Sequence, residues 1–403
     1  MTPEEMIKFC FMLAREGECE PITRAVPDIS SEDWMKLEQF VVHKGFAPIL
    51  YDRIMQNHYV SILPTGVTDA LRQAYHHNAA RNLYAVKQLS EILTTLENQS
   101  IPVIVLKGAY YGFSVYKNAA CRTMSDLDLL FRKENIAESV ALLETLGYRL
   151  DGAIWEGPEH HLPPMIKKGF PFTVEVHSRL ATLARTTTLT PELIWDEARP
   201  GSLFGHPIRV LSPALALFYV CMHSAYQHVF ANASLAIVDI DTLFRYYEQE
   251  INWDTFWDFA DSEHCRPGVA YLLGLSVHLL STPFPDMVIE KISSVDFPKD
   301  IKESVYEVML AGEQLPDTPP EGIFNIAKWW MNKMRKFADA VLHAHEKRID
   351  NTQTSKRQAG DSIRRSGYLF KDYLSALLNL PRINRDQQKM RTNRRLRSWL
   401  EIP

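Results

Sequence analysis

The sequence is poor in cysteine and in long apolar runs, and each shortage excludes a class of protein. Its five cysteines, spread over 403 residues, never form a C-x-x-C pair, so neither a zinc site nor a disulfide framework is indicated. No apolar run approaches the ~20 residues that cross a bilayer. The N-terminal segment carries Glu4 and Glu5 before its first lysine, unlike the basic start of a signal peptide. We therefore expect reduced thiols, no membrane span and a cytoplasmic location.

Excess positive charge is also missing. The chain has 44 Lys and Arg against 49 Asp and Glu, a net charge of −5, which argues against a dedicated nucleic-acid binder. A local basic patch would still suffice for a tRNA substrate. The composition, 46% hydrophobic and 23% charged, is that of an ordinary soluble protein without internal repeats. The length allows two or three domains.

One short segment departs from this ordinary background. In the sequence SDLDLLF, residues 125–131, Asp126 and Asp128 lie two positions apart within an apolar run. Side chains alternate in a strand, so both carboxylates would share one face. Hard oxygen ligands at that spacing suit Mg²⁺, which favours one or two carboxylates plus substrate phosphates. The pair indicates metal-dependent phosphoryl or nucleotidyl transfer, and the alternative is a strand whose polar side faces solvent.

The segment before this pair predicts a strand followed by a helix. The apolar, β-branched run 101–106 is typical of a buried strand, and the pattern becomes helical over 110–116. At the break, Lys107 and Gly108 offer a mobile positive charge and free backbone N–H groups that are able to meet an anion. The segment therefore indicates a phosphate cradle, with an ordinary strand-to-helix turn as the alternative.

The segment after the pair predicts a second helix and a third strand. Residues 135–146 have helical periodicity and end at Gly147, as at a helix C-cap. A strand over 172–177 would place Glu175 and His177 on one face. A third carboxylate beside the first two would complete a metal-binding triad and assist deprotonation of an attacking hydroxyl.

Three motifs of this region occur together in a known family. They are Leu106-Lys107-Gly108, Arg122-x-x-Ser125-Asp126-x-Asp128 and Glu175-x-His177. The combination resembles the uncharacterised bacterial branch of the nucleotidyltransferases, within the DNA polymerase β-like superfamily, most clearly from Asn78 to Leu180. The resemblance implies an α+β fold, with a small mixed β-sheet nucleotidyltransferase core flanked by N-terminal and C-terminal helical regions.

The resemblance also implies a site. Asp126, Asp128 and Glu175 would be the catalytic carboxylates that hold Mg²⁺, or Mn²⁺, and the triphosphate of an NTP, the donor substrate. Nucleotide and phosphate contacts would come from the main motif residues, which are Lys107, Gly108, Arg122 and Ser125.

Two departures from the family pattern concern the phosphate contacts. Ala109 follows the glycine where the family has a small hydroxyl residue, and the interval from Gly108 to Asp126 is longer than in the minimal enzymes. Lys107 and Arg122 are our candidates to replace the missing contacts, because Arg offers a planar fork and Lys a point charge. For Arg122 the alternative is a salt bridge to a nearby carboxylate.

Histidines supply weaker candidates. His161, in the proline-rich loop 157–164, and His177 are possible substrate contacts, since an unperturbed His titrates near neutrality. The alternatives are a solvated loop for His161 and a hydrogen bond at the sheet edge for His177. His223 and Asp239 occur further on, where we favour a structural role, either tying two helices together or lining the back of the cleft.

The organisation predicted for the whole chain has four parts: a helical region over 1–98, the nucleotidyltransferase core over 99–182, a helical domain over 183–315 and a helical extension over 316–403. Three helices are predicted within these parts, two of them from their caps. Ser31 would cap a helix from Glu32, a long helix would run from Thr68 to Asn98, and Ser212 precedes a proline at a helix start.

Two C-terminal segments complete the prediction. A proline cluster over 316–320 is the best linker, and an amphipathic helix over 326–341 follows it. The basic C-terminal tail is a possible contact for an acidic partner or nucleic acid, and the alternative is a solvated charged face. Its cationic residues are Arg382, Arg385, Lys389, Arg391, Arg394, Arg395 and Arg397.

The sequence thus predicts a Mg²⁺-dependent nucleotidyltransferase that moves an NMP group from an NTP to an acceptor hydroxyl. The acceptor is a small molecule, a protein or tRNA, and the sequence does not choose among them. One alternative is a catalytically inactive fold that binds a nucleotide or protein as a regulator. Another is a toxin-like enzyme that nucleotidylates tRNA or protein.

Overall fold

A mixed seven-stranded β-sheet lies at the centre of the described chain. The computed structural model describes residues 1–17, 22, 26–150, 161–180, 188–311 and 380–402. The strands are β1 Ile104–Val105, β2 Asp126–Leu130, β3 Arg149–Leu150, β4 Met165–Ile166, β5 Thr173–His177, β6 Arg199–Leu203 and β7 His206–Val210. Their order is β3-β4-β5-β2-β1-β7-β6. The small mixed sheet and the α+β class expected from the sequence are confirmed.

Four helices precede the sheet: α1 Pro3–Ala14, α2 Ser31–His43, α3 Ala47–Gln56 and α4 Thr65–Asn98. The N-cap of α2 is Ser30, whose hydroxyl accepts from the backbone N–H of Asp33 at 3.1 Å, so the predicted cap at Ser31 is wrong by one residue. The two serines are adjacent, and only Ser30 has the extended backbone of a cap. Helix α4 begins three residues before the predicted Thr68, directly after Pro64.

The remaining α-helices of the described residues begin after β1. They are α5 Lys107–Tyr110, α6 Ile136–Thr145, α7 Pro191–Glu197, α8 Pro213–Met222, α9 Ala233–Tyr247, α10 Trp253–Ser262, α11 Arg266–Leu280, α12 Asp286–Ser293, α13 Lys299–Ala311 and α14 Leu380–Trp399. Helices α5 and α8 each continue as a π-helical turn, over Tyr111–Val115 and His223–Gln227. Ser212 caps α8 as predicted, through a 3.4 Å bond from the N–H of Leu215.

The β6–β7 hairpin is the main difference from the sequence prediction. It lies in the region expected to be helical, and β7 extends the sheet by pairing parallel with β1. Its strands contain Pro200, Gly201 and Pro207, residues that are depleted in strands because they lack a backbone donor or a side chain. Pro200 is tolerated because β6 is the edge strand of the sheet.

The sheet buries one face against α4. Leu127 and Leu129 of β2 and Val174 of β5 are fully buried with Leu89 and Leu93 of α4 in one core cluster. Each such side chain contributes about 1.5–3 kcal/mol through burial. Because side chains alternate along a strand, the aspartates of β2 are directed to the opposite face of the sheet.

The chain divides into two compact units, Met1–Glu313 with Arg397–Pro403, and Gln314–Leu396. Within the first unit the ring of Trp399 packs on Tyr271 at 5.8 Å. Four cysteines of the described chain are free and buried, and none of its helices has the length and apolarity to cross a membrane. The predicted linker 316–320 and amphipathic helix 326–341 lie outside the described residues, and the predicted domain boundaries stay predictions.

Candidate active site

Helix α4 fixes the entry to β2. The side-chain amide of Asn78 donates to the carbonyls of Ala120 and Arg122, at 2.8 and 3.2 Å. The amide of Asn82 donates to the carbonyls of Ala119 and Arg122, at 2.7 and 3.1 Å. Both asparagines are buried, so these bonds satisfy backbone groups that water does not reach. The aspartates of β2 therefore follow a segment that is held firmly in place.

The pairing of β2 with β5 brings three candidate ligands together. The strands are parallel, with Asp128 opposite Glu175 and Leu130 opposite His177. One ligand atom each from Asp128, Glu175 and His177 lies within 4.8 Å of the others. Two carboxylate oxygens and an imidazole nitrogen form a donor set that suits a divalent cation. The register thus places the third carboxylate beside the second, as the sequence predicted.

Asp128 is the most enclosed of the carboxylates, with 1% of its surface exposed. Its Oδ1 accepts from Lys107 Nζ at 2.9 Å and from His177 Nε2 at 2.8 Å. Burial opposes ionisation of Asp128, but these two partners outweigh it and hold its pKa below the usual range. His177 Nε2 also approaches Glu175, at 3.4 Å. Burial opposes the charged imidazole, but the bonds of His177 to both carboxylates are stronger and raise the pKa of His177.

Lys107 supplies the positive charge between these anions. Burial opposes its ionisation, but the attraction of Asp128 is stronger and its pKa is raised. Its backbone has φ of +41°, a left-handed conformation that costs energy for a residue with a side chain. Strain of this kind is commonly found at functional sites. The sequence predicted a phosphate contact for Lys107, and in this structure its ammonium group binds Asp128.

Asp126 has a different environment from Asp128. It accepts a hydrogen bond from the Ser125 hydroxyl at 3.0 Å and lies at the cleft surface. Burial, and then repulsion from Asp128, raise the pKa of Asp126 to about 6. The sequence predicted a phosphate contact for Ser125, and in this structure its hydroxyl contacts the carboxylate of Asp126. A cation that bound here would relieve the repulsion between the two aspartates.

Arg122 forms a buried ion pair behind the carboxylates. Its Nε and Nη2 donate to the two oxygens of Asp239, each at 2.7 Å, and Nη1 donates to the Thr123 carbonyl. Tyr116 also donates to Asp239, at 2.6 Å. The salt bridge that the sequence left open for Arg122 is present, and it gives Asp239 the structural role that we favoured.

Gly108 lies where the start of α5 approaches the residues before β2. A Cβ atom at this position would be 3.1 Å from Met124 Cβ and 3.5 Å from Arg122 Nη1. Real Cβ atoms rarely have neighbours at 3.1 Å, so a side chain here requires its surroundings to shift. The glycine thus allows the helix to lie close to the strand that carries the aspartates.

His161 lies beside Glu175, as the predicted position of its loop suggested. Its Nδ1 donates to the Leu162 carbonyl at 2.7 Å, and its Nε2 is 3.8 Å from Glu175. The two imidazole rings of His161 and His177 are 5.1 Å apart. The structure thus brings both predicted histidines to the carboxylate cluster. His160 lies outside the described residues.

A cleft of about 1050 Å³ opens in front of Lys107, Asp126 and Asp128. Sequence reasoning missed most of the residues that form its other walls. They are Lys44, Gln73, His77 and Arg81 from the N-terminal helices, and Tyr219 and His228 from the far side. Burial lowers the pKa of Lys44 to about 8, and its ammonium group donates to the Ala231 carbonyl at 3.0 Å. These residues belong to no motif, and only contacts between distant parts of the chain bring them to the cleft.

Two histidines lie together in the wall formed by the end of α8. His223 and His228 are joined through their Nε2 atoms at 3.0 Å, and His223 Nδ1 bonds the side-chain oxygen of Gln227. Burial and the nearby Lys107 hold the pKa of His223 well below its usual value, and they lower the pKa of His228 to about 4. The pair is therefore neutral at physiological pH. His223 lines the cleft, one of the two roles that the sequence left open.

Two solved structures are similar to parts of this chain at low sequence identity. No curated protein matches this chain. A solved structure of the antibiotic-resistance factor ANT(2'')-Ia has 15% identity and a TM-score of 0.28, over 44% of this chain and 96% of that one. A nucleotidyltransferase-like protein from Paracoccidioides brasiliensis has 17% identity and a TM-score of 0.31, over 47% and 92%.

A family match covers more than half of the sequence. The model of a family described as an uncharacterised nucleotidyltransferase matches residues 30–281. The match spans the helices that support the cleft, the strands that carry the three carboxylates and the helix that carries Asp239. The chain belongs to this uncharacterised nucleotidyltransferase family.

Proposed function

We propose that this chain transfers a nucleoside monophosphate from an NTP to an acceptor hydroxyl and releases pyrophosphate. The observation that carries the proposal is the cluster of Asp128, Glu175 and His177, joined to Lys107 at the floor of an open cleft. Aligned anions in a largely buried setting are costly unless a cation joins them. The membership of this chain in a nucleotidyltransferase family also supports catalysis.

In this proposal Asp126, Asp128 and Glu175 hold Mg²⁺, or Mn²⁺, which when bound neutralises the triphosphate and polarises its α-phosphate. His177 orients Asp128 and Glu175, because its Nε2–H already bonds both carboxylates. His161 supports Glu175 through the same carboxylate oxygen, which its Nε2 approaches at 3.8 Å. These histidines thus act on the carboxylates rather than on the phosphates.

The remaining motif residues balance charge on the donor. Lys107 has a flexible side chain, so it can exchange Asp128 for a phosphate oxygen of the NTP. Gly108 and Ser125 lie at the cleft surface where the phosphates would lie. Arg122 does not contact the phosphates directly in this proposal, since Asp239 already engages its guanidinium group.

The reaction balances without a further reactant. The acceptor oxygen forms a bond to the α-phosphorus, and the bond from that phosphorus to the bridging oxygen breaks. Pyrophosphate leaves with the bonding electrons, and Glu175, half-buried at the cluster, is our candidate to take the acceptor proton. Positioning and charge neutralisation supply most of the catalysis in such transfers.

A silent, nucleotide-binding form of the fold is a second candidate. The observation that favours it is the ion pair of Lys107 with Asp128, together with Ala109 in place of a hydroxyl residue. In that form the lysine would remain on the carboxylate and act as a permanent counter-ion. The two candidates differ in whether bound NTP is turned over.

The test is calorimetric titration of each of the four NTPs, with and without Mg²⁺, followed by measurement of pyrophosphate release. Asp126→Ala/Asp128→Ala removes the site, and Asp254→Ala/Asp258→Ala removes two exposed carboxylates from α10 as a matched control. We expect one NTP to bind in a manner that needs both Mg²⁺ and the site aspartates. Binding without any pyrophosphate release favours the silent form, and absence of binding in the folded wild type overturns both candidates.

A further inference from the structure

Helix α4, which forms one wall of the cleft, contains a long stretch without acidic residues. From Ala70 to Ser90 there is no Asp or Glu, in a chain with 49 of them. The same stretch carries a set of basic or titratable side chains, which are Arg72, His76, His77, Arg81 and Lys87. Local charge on this wall therefore has the opposite sign to the net charge of −5.

Three of these side chains, His77, Arg81 and Lys87, share one face of the helix. Gln73, His77 and Arg81, spaced by four residues, line the cleft. Tyr84 and Lys87 continue the same face at spacings of three residues, beyond the edge of the cleft. At 1.5 Å per residue, the face extends over about 21 Å. We name these five residues the α4 strip.

Aromatic rings lie where the strip leaves the cleft. Tyr84 is 50% exposed, and its ring contacts Phe170 edge-on at 6.4 Å. Lys87 and Lys167 place their ammonium groups 5.4 and 4.9 Å from the centre of the Phe170 ring. Arg81 stacks on Phe172 at 4.9 Å. Phe172 itself is buried, so the surface places these cations beside the exposed ring of Tyr84 and the half-buried ring of Phe170.

Acidic groups lie at the margins of this surface. Glu91, one turn past the strip, pairs with Lys167 at 2.6 Å, and Glu38 lies on the facing wall of the cleft. Neither carboxylate belongs to the strip itself. An anionic chain laid along it would meet cations and rings over its whole length.

We propose that the α4 strip binds single-stranded nucleic acid and guides its terminal hydroxyl to the carboxylates as the acceptor. Phosphates pair with Arg81 and Lys87, and bases stack on the exposed ring of Tyr84, the combination that single-strand binding surfaces use. The stacking is tolerant of sequence because every base has a flat face. This inference rests on the proposed nucleotidyl transfer for the fate of the hydroxyl, while binding to the strip stands on its own.

The chemical step follows from the placement of the strand. The terminal oxygen of the nucleic acid bonds to the α-phosphorus of the NTP, and pyrophosphate departs with the electrons of the broken bond. The hydroxyl proton passes to the carboxylate cluster. The product is a strand that is longer by one nucleotide, so radioactive label from an α-labelled NTP becomes part of the oligonucleotide.

The test measures binding of a fluorescent single-stranded RNA, and of DNA with the same sequence, by anisotropy at several salt concentrations. Tyr84→Ala/Lys87→Glu removes one ring and reverses one charge of the strip. Tyr246→Ala/Lys299→Glu makes the same two changes at exposed positions on α9 and α13, as a matched control. Thermal unfolding confirms that both variants fold.

We expect the strip variant to weaken binding at least tenfold and to lower the slope of log Kd against log salt by about one. The control should match the wild type. Equal loss in both variants, or no binding of either oligonucleotide by the wild type, overturns the inference. Binding of RNA alone or of DNA alone supports it and names the acceptor.

Titration of the wild type with NTPs separates this inference from the proposed function. NTP binding without oligonucleotide binding leaves nucleotidyl transfer in place and refutes the strip as an acceptor site. Oligonucleotide binding that depends on the strip, without NTP binding, refutes the transfer and leaves a nucleic-acid-binding surface. Label found in a peptide substrate but not in either oligonucleotide refutes the assignment of the acceptor.

Discussion

Two buried carboxylates that line the cleft are each paired with a cation, yet their surroundings differ. Asp239 receives Nε and Nη2 of Arg122, one on each of its oxygens, together with the Tyr116 hydroxyl. Asp128 receives Lys107 and His177 on the same oxygen, Oδ1. Neither of these bonds engages its Oδ2. The first carboxylate is surrounded by donors on both oxygens, and the second keeps capacity for another ligand.

The difference shows how similar pairs serve different purposes. A bidentate guanidinium holds a fixed geometry, whereas an ammonium group is a point charge on a flexible stem. Asp128 also has Glu175 and His177 within ligand distance, and Asp239 is joined instead to the cation and hydroxyl that hold it. We infer that the pair of Asp239 is structural and that of Asp128 is exchangeable.

The largest expected effect is on the rate of pyrophosphate release, which substitution of the two carboxylates should change to very different extents. Asp128→Asn should lower pyrophosphate release about a thousandfold or more, because it removes the charge that the cluster is built around. Asp239→Asn, measured per folded molecule, should stay within about tenfold of the wild type. Steady-state turnover with saturating NTP checks both. A folded Asp128→Asn protein with wild-type turnover would contradict the different roles assigned to the two carboxylates.

The free energy of unfolding should reverse this order, with the larger loss in Asp239→Asn and the smaller loss in Asp128→Asn. Asp239→Asn leaves the Arg122 guanidinium buried without its counter-charge, so we expect the free energy of unfolding to fall by about 3 kcal/mol. Urea denaturation of the metal-free protein gives this value. Asp128→Asn should cost less, since Asp126 and Glu175 remain near Lys107. Equal losses in the two variants would mean that both pairs are structural.

A change at Lys107 tests whether its pair is exchangeable. Lys107→Met removes the internal cation, so a divalent cation should stabilise this variant more than it stabilises the wild type. A tenfold gain in Mg²⁺ affinity corresponds to about 1.4 kcal/mol. The midpoint of thermal unfolding with and without Mg²⁺ measures it. Arg122→Met, which also removes one cation, should show no such gain, and a gain in both variants would refute the distinction.

The last effect concerns pH. The folded pKa of His228 is lowered to about 4, below its ordinary value of 6.5. Its neutral form therefore contributes stability that is fully present above pH 6.5 and is lost as the pH falls toward 4, because the unfolded chain binds the proton first. We expect His228→Gln to remove about 2 kcal/mol of this dependence between pH 7 and pH 4.5. Denaturant midpoints at pH 7 and pH 4.5 test it. An equal fall of the midpoint between these pH values in the wild type and the variant would contradict it.

The sequence predicted the carboxylate cluster because its geometry is local to two strands. A period of two places Asp126 with Asp128 and Glu175 with His177, and the β2–β5 register completes the arrangement. The pattern of the β6–β7 hairpin was hidden by its prolines and glycine. The partner of Arg122 was hidden for another reason, since it lies 117 residues further along the chain. Contacts of that separation follow from tertiary packing and leave no periodic signal.

The parallel pairing of β7 with β1 has a consequence for dissection of the protein. A fragment cut to the predicted core, 99–182, would lose the strand that covers one edge of β1. It would also lose Asp239, and Arg122 would have no counter-ion inside the fragment. An open strand edge and an uncompensated guanidinium are hazards for solubility and folding. The smallest autonomous piece of this protein must therefore extend at least through α9, so we expect the sheet and this helix to unfold together.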